Sequence, residues 1–450
     1  MRGLLIAAAL LGATQTTPTA GAQGVQRAVS GAPAGAAVAD TLTSAFIVNG
    51  VNVILRRTPS NDVVAANLYL LGGTSLVPAA KAGLEPFLLE ATERGTQRYP
   101  REALQARMAQ LGSAVVTDPD HDWTLFGTRS TVETFDSTWT VLADRLMRPT
   151  LDSGQVEFVR AQLLSAVRQR RDSPDALLEY LADSVAFAGH PYGVPPLGTE
   201  QTIARLTLDD LRRFHKEQMM TSRMLLVIVG NVDRARVERL VSQSIGTLPK
   251  GSYQWALPAS LAREGSVVAT ESRPLPTNYI LGYFAGPPAT SPDYQALRIA
   301  NAVLSGRLFA EIRSRRNLTY AVNAPFVERA ISAGGLYVTT VQPDLTLSLM
   351  QKEIRNLQEG WITEEGLEQL VQQFITEYFL DNETNADQAR FLARAQLYRG
   401  DWRRAAQFME ELREVTPEDV RRVARQYMRD VKFAYVGDPS KLDRAVAGKF

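Results

Sequence analysis

The chain repeats itself, and that repeat constrains the fold more than any other feature of its 450 residues. Leu206-Thr-Leu-Asp-Asp-Leu-Arg-Arg213 returns as Val415-Thr-Pro-Glu-Asp-Val-Arg-Arg422, with Thr207 and Thr416 209 residues apart. Asn67-Leu-Tyr-Leu-Leu-Gly72 returns as Asn278-Tyr-Ile-Leu-Gly282, 211 residues on, and Gly230 after Leu225-Leu-Val-Ile-Val229 returns as Gly437, 207 residues on. Agreement at the start, middle and end of a unit predicts a duplicated domain of about 210 residues. Length points the same way, because a single hydrophobic core stops growing beyond roughly 250 to 300 residues. Pro249 to Glu264, PKGSYQWALPASLARE, has the turn-forming content of a linker. The expected domains are therefore 41–248 and 265–450, joined by 249–264.

Within each unit the order reads strands, helices, strands, helices and a closing strand. Val63 to Leu71 and Leu336 to Val341 are apolar runs with polar interruptions, suited to a sheet with one face covered. Gln155 to Arg171 and Glu364 to Asn382 read as long amphipathic helices. Thr207 and Thr416, each followed by acidic residues, are N-cap signatures. The expected class is α+β, with helices packed on one face of a mainly antiparallel sheet in each of two homologous domains.

Composition excludes several functions. A net charge of +1 gives no electrostatic case for nucleic acid, and the absence of cysteine removes thiolate metal sites, disulfides and a cysteine nucleophile. Residues 1–22 have the pattern of a secretory signal: Arg2, the apolar run Leu4 to Ala13, and Ala20-Gly21-Ala22 as a cleavage site. Ten apolar residues are too few for a bilayer span, which needs about 20. Residues 23–40, rich in Ala, Gly and Val, read as a flexible leader. A periplasmic or secreted protein without a membrane span is expected.

Gly83 to Thr96, GLEPFLLEATERGT, places Leu84, Phe87, Leu88 and Ala91 at i, i+3, i+4 and i+7, a buried helical stripe. Pro86 suits the first turn, where no backbone donor is needed. Glu85, Glu90 and Glu93 could form a carboxylate metal site only for a hard ion, since no imidazole accompanies them. His121, His190 and His215 are far apart in sequence, and His190 before Pro191 reads as a turn residue. No GxSxG elbow or GxxxxGK[ST] phosphate loop occurs.

The same stretch resembles GLAHFLEHMLFKGT of the pitrilysin-type zinc metallopeptidases, the insulinase and mitochondrial-processing-peptidase family, with Gly83, Leu84, Phe87, Leu88, Gly95 and Thr96 shared. Asn49-Gly50 with Val51 to Leu55, similar to the family's first strand, and Gly189-His-Pro-Tyr-Gly193 continue the resemblance. It implies two pitrilysin-like domains facing each other. It also implies that the HxxEH histidines fall on Pro86 and Glu90, the general-base glutamate on Leu89 and the third ligand on Ala166. No metal is then expected in this chain, and zinc would belong to a partner subunit.

Leu308 to Val322, LFAEIRSRRNLTYAV, is similar to the family segment LFQEIREKRGLAYSV, whose arginine and tyrosine reach the substrate carbonyl. These map onto Arg316 and Tyr320, while Asn317 and Thr319 replace the usual glycine and alanine. The plainer alternative is a capping arginine and a strand-opening tyrosine. The expected function is a non-catalytic, substrate-binding subunit that is not a peptidase alone. It would supply Arg316 and Tyr320 to an HxxEH-bearing partner acting on a peptide substrate. The alternative is a non-enzymatic structural or peptide-binding protein of the same fold.

Overall fold

The computed structural model describes residues 42–262 and 265–450; the signal and leader expected over 1–40 lie outside the described residues. Two six-stranded sheets carry the architecture. The first contains β1 (Thr43–Val48), β2 (Val51–Arg57), β3 (Val63–Leu71), β4 (Ala114–Pro119), β5 (Trp123–Thr131) and β6 (Met224–Gly230), in the order β1-β2-β6-β3-β5-β4. The second contains β7 (Val267–Ser272), β8 (Asn278–Pro288), β9 (Val322–Asn323), β10 (Phe326–Val327), β11 (Ile331–Thr340) and β12 (Lys432–Gly437). Its order is β10-β11-β8-β12-β7, with β9 also on β11.

The duplication is visible in the pairing. β2 runs parallel to β6 as β7 does to β12, β3 is antiparallel to β6 as β8 is to β12, and β5 flanks β3 as β11 flanks β8. The repeated helix openings also coincide, since Thr207 with Asp210 and Thr416 with Asp419 form reciprocal capping boxes. Each such box satisfies two backbone donors that the helix cannot.

Val51–Arg57 is the second strand of a hairpin rather than the first strand of the domain. Asn49 and Gly50 have φ of 47° and 88°, a two-residue turn whose twist suits antiparallel strands, and β1 precedes it.

Each sheet packs its own half's helices on one face. Val53, Val64, Leu68, Phe126 and Leu226 meet Phe87, Leu142 and Phe214 in the first half, and Ile280, Phe284, Val338 and Phe433 meet Leu297, Leu304 and Val423 in the second. The opposite faces are not open. Helix Asn385–Arg399 of the second half lays Leu392, Ala393 and Leu397 on Tyr69, Leu125 and Val227 of the first sheet. Helix Pro174–Ala186 of the first half lays Leu177, Leu178 and Ala182 on Leu281, Ala434 and Val436 of the second sheet. Each sheet thus carries its own half's helices on one face, as expected, and a helix of the other half on the second, which explains why Val63–Leu71 is buried at every position but the first.

Polar bonds fix these exchanged helices. Asn385 Nδ2 donates to Val63 O at 2.7 Å, and Trp255 Nε1 donates to Leu397 O at 2.8 Å. Tyr337 OH donates to Asp175 Oδ1 at 2.7 Å. At the junction the buried Asp122 carboxylate accepts from Tyr192 OH at 2.8 Å, Tyr398 OH at 2.9 Å and Ala330 N at 3.2 Å, so one side chain ties the halves together. Burial pushes the Asp122 carboxyl up despite the Tyr192 hydrogen bond.

Candidate functional site

Helix Leu84–Ala91 forms over the predicted stripe, with Leu84, Phe87, Leu88 and Ala91 all buried. Leu89, in the position of a general base, is also wholly buried, so this residue serves the core. Pro86 is buried at the third helical position. Glu90 is half-buried, and burial together with Glu93 pushes its carboxyl up. Ala166 is exposed on helix Ser153–Asp172, which packs on Leu84–Ala91 through Arg160 stacked 5.1 Å above the Phe87 ring.

The residues present do not fit zinc. Pro86, Leu89 and Ala166 offer no ligand atom, and among the described residues no group of three or more His, Asp or Glu could hold a metal ion. The three carboxylates near the helix also diverge. Glu85 is turned into the core, where it accepts from Arg223 Nη2 at 2.5 Å and from Thr124 Oγ1, and Glu93 pairs with Arg145 at 3.2 Å. We expect the purified chain alone to retain no stoichiometric zinc and to cleave no peptide. Metal analysis by mass spectrometry checks this; one zinc per chain, lost on Glu90→Gln, would contradict it.

The second predicted site is built at the end of a long helix. Asp293–Leu308 runs on as a π-helical segment, Phe309–Arg315, whose wider turns carry Glu311 inward. Such segments recur at functional positions because they re-aim side chains. Asn317 ends the helix at φ 50°, with its N donating to Arg313 O at 3.0 Å and Leu318 N to Ile312 O at 3.0 Å. Asparagine is the residue that best replaces glycine in this left-handed conformation, so the departure at 317 leaves the turn intact. Thr319 tightens the adjoining backbone. Its single hydroxyl hydrogen is shared between Ala321 O, at 2.8 Å, and Thr339 O, and its oxygen accepts from Ala321 N at 3.0 Å.

Arg316 Nε donates to Glu311 Oε1 at 2.9 Å, while Arg315 Nη1 takes Glu311 Oε2 at 2.9 Å. Hydrogen bonds from Arg316 and then Arg315 hold the Glu311 carboxyl below the usual glutamate range. The Arg316 terminal nitrogens have no hydrogen-bond partner among the described residues, and the side chain is 45% exposed. Tyr320 is 83% exposed, its ring under Arg313 at 4.9 Å and its hydroxyl unbonded among the described residues. The loop thus presents a guanidinium fork and a phenol, both donors at neutral pH. No hydrogen bond, ion pair or ring contact joins either to helix Leu84–Ala91 or Ser153–Asp172 among the described residues.

The remaining candidates are structural. His190 Nδ1 accepts from Tyr192 N at 3.1 Å and its Nε2 lies 3.0 Å from Ala259 O, tying the linker to the turn. His215 Nε2 lies 2.7 Å from Leu146 O. A cavity of about 460 Å³ lies between β1, β2, Trp255 and Leu397 and contains none of these residues. Sequence reasoning missed the Asp122 junction and the Glu85–Arg223 pair, whose partners lie 70 to 276 and 138 residues away.

Two mixed sheets, each covered by its own helices and by one helix of the other half, are the two-domain pitrilysin-type fold. A structure described as the peptidase M16 inactive domain from Pseudomonas fluorescens superposes with a TM-score of 0.81 at 20% identity, covering 88% of this chain and 98% of that one. The periplasmic protease PqqL from Escherichia coli superposes at 0.74 and 16% identity over 88% of this chain and 46% of its own. Residues 205–374 match the family described as the peptidase M16 inactive domain. Over 407 residues it is 25% identical to the mitochondrial-processing peptidase subunit beta of Blastocladiella emersonii, covering 86% of each.

Proposed function

We propose that this chain is the non-catalytic, substrate-binding subunit of a heteromeric zinc peptidase, and that Arg316 and Tyr320 act beside a zinc site carried by an HxxEH-bearing partner. The observation that carries the reading is the contrast between its two halves. The first has side chains without ligand atoms at three of four metal positions. The second keeps an ordered donor loop with Arg316 aligned by Glu311 and Tyr320 facing solvent. A donor pair that binds a peptide carbonyl more strongly as negative charge develops is useful only next to a site that performs the attack. Similarity to a peptidase subunit and to an inactive domain supports the same division of labour.

A periplasmic or secreted location is supported by the secretory pattern of residues 1–22 and by the likeness to a periplasmic protease. No described helix is long and apolar enough to cross a membrane.

Association is the direct test. Co-expressed with an HxxEH-bearing relative from the same genome, the chain is expected to elute as a stable complex, through an interface on the order of 2,000 Å² or more. Size-exclusion chromatography reads this. Separate elution, with the relative fully active alone, would contradict this reading and favour a non-enzymatic structural or peptide-binding protein.

A further inference from the structure

Two Arg–Glu–Arg triads meet around one cavity in the second half. In the first, Glu328 accepts from Arg298 Nη2 at 2.5 Å and from Arg394 Nη1 at 2.7 Å. In the second, Glu411 accepts from Arg399 and, at 3.4 Å, from Arg404. Between them lies a cavity of about 40 Å³, with Glu328, Arg394, Arg399 and Arg404 in its wall. Each triad carries a net charge of +1.

Among the groups facing the cavity only part of that charge is relieved: Arg298 stacks on the Tyr294, Phe326 and Phe408 rings, and the Asp120 charge reaches Arg394. Although burial alone would push the Glu328 carboxyl up, the Arg298 and Arg394 charges hold it at about 2, and the same pairing holds both guanidiniums above their usual range despite burial. Neither arginine can therefore shed its proton. Burial also pushes the phenols of Tyr294 and Tyr398 up, so both are neutral, and Tyr398 is already committed to Asp122. Asp120, whose charge reaches Arg394, lies 3.5 Å from His121 Nδ1 and also faces Arg329, itself paired with Asp183 at 3.3 Å. The buried Nε donors of Arg298 and Arg394 have no partner among the described residues.

We propose that this cavity binds one small monovalent anion, a halide such as chloride, between the guanidinium groups of Arg394, Arg399 and Arg404. The class follows from size and charge. Space of about 40 Å³ exceeds the roughly 10 to 15 Å³ that one water needs, so a monatomic ion fits there without displacing a side chain. Water alone could satisfy a donor but brings no charge to a site where two positive charges are only partly solvated. The anion would bridge helix Asn385–Arg399, through Arg394 and Arg399, to Arg404 in the 3₁₀ turn Trp402–Gln407. That helix is the one the second half lends to the first sheet, so occupancy stabilises the junction of the halves.

The test uses the full mature chain. At matched ionic strength, chloride or bromide in place of gluconate is expected to raise Tm by about 2 °C or more. Arg404→Gln, at a half-exposed position, is expected to abolish that increment while leaving the gluconate Tm nearly unchanged. Crystals of the unaltered protein soaked in bromide should show an anomalous peak between the three arginines, a readout independent of how any variant folds. Equal Tm in halide and gluconate, or bromide bound only elsewhere on the molecule, would overturn the assignment.

Discussion

Tyr320→Phe and Arg316→Ala are each expected to lower kcat of the assembled complex by roughly 100- to 1,000-fold, with a smaller change in KM. The asymmetry follows from when the interaction is made. A neutral peptide carbonyl accepts only weakly, whereas the oxygen of the tetrahedral intermediate carries negative charge and draws far more from a preorganised donor. Arg316 is preorganised in the required sense: Glu311 takes its Nε, and the terminal nitrogens remain available. Tyr320→Phe is the cleaner change, since it removes a hydroxyl that makes no hydrogen bond among the described residues and keeps the ring that Arg313 stacks on. Each variant is first shown to assemble by chromatography, and kcat and KM are then measured per intact complex. Turnover near the unaltered value in both variants would leave the loop with a purely structural role.

Breaking the Glu85–Arg223 pair is expected to destabilise the chain by about 3 to 5 kcal/mol. Both side chains are fully buried, and the pair anchors helix Leu84–Ala91. Arg223 Nε also donates to Leu71 O at 2.6 Å, so the guanidinium links that helix to the end of β3. Removing either partner leaves an uncompensated charge where water cannot reach it. Glu85→Leu with Arg223→Met removes both charges and is expected to cost less than either single change, because no charge is then stranded. Denaturant unfolding of the two single variants and the double variant measures this. A single variant within about 1 kcal/mol of the parent would mean that water enters and hydrates the remaining charge.

Much of the fold was legible because its signals are local. The capping boxes at Thr207 and Thr416, the β3 run and helix Glu364–Asp381 follow from patterns within a few residues of one another. Strand β1 gives a weaker signal, because its middle residues are exposed or half-buried and it is held at the sheet edge by pairing with β2. The covering of the outer sheet faces was a different matter. Leu225 to Val229 is five apolar residues in succession, which indicates burial on both sides but not what lies there. The covering helix begins at Asn385, more than 150 residues away.

By itself, the sequence determined that the unit is duplicated, that the helix at 84–91 has a buried stripe, and that Pro86, Leu89 and Ala166, three of the four positions matched to the family's metal site, offer no ligand atom. Residue type settles these matters, since no folding can give proline, leucine or alanine a metal-binding atom. Only the tertiary structure decided that Glu85 points away from Glu90 into Arg223, that Asn317 and Thr319 keep their loop ordered, that Asp122 gathers donors from both halves, and that two arginine triads face one cavity. Those arrangements join side chains distant in the chain, and a charge or hydrogen bond acts according to distance in space and the water excluded around it, neither of which sequence spacing carries.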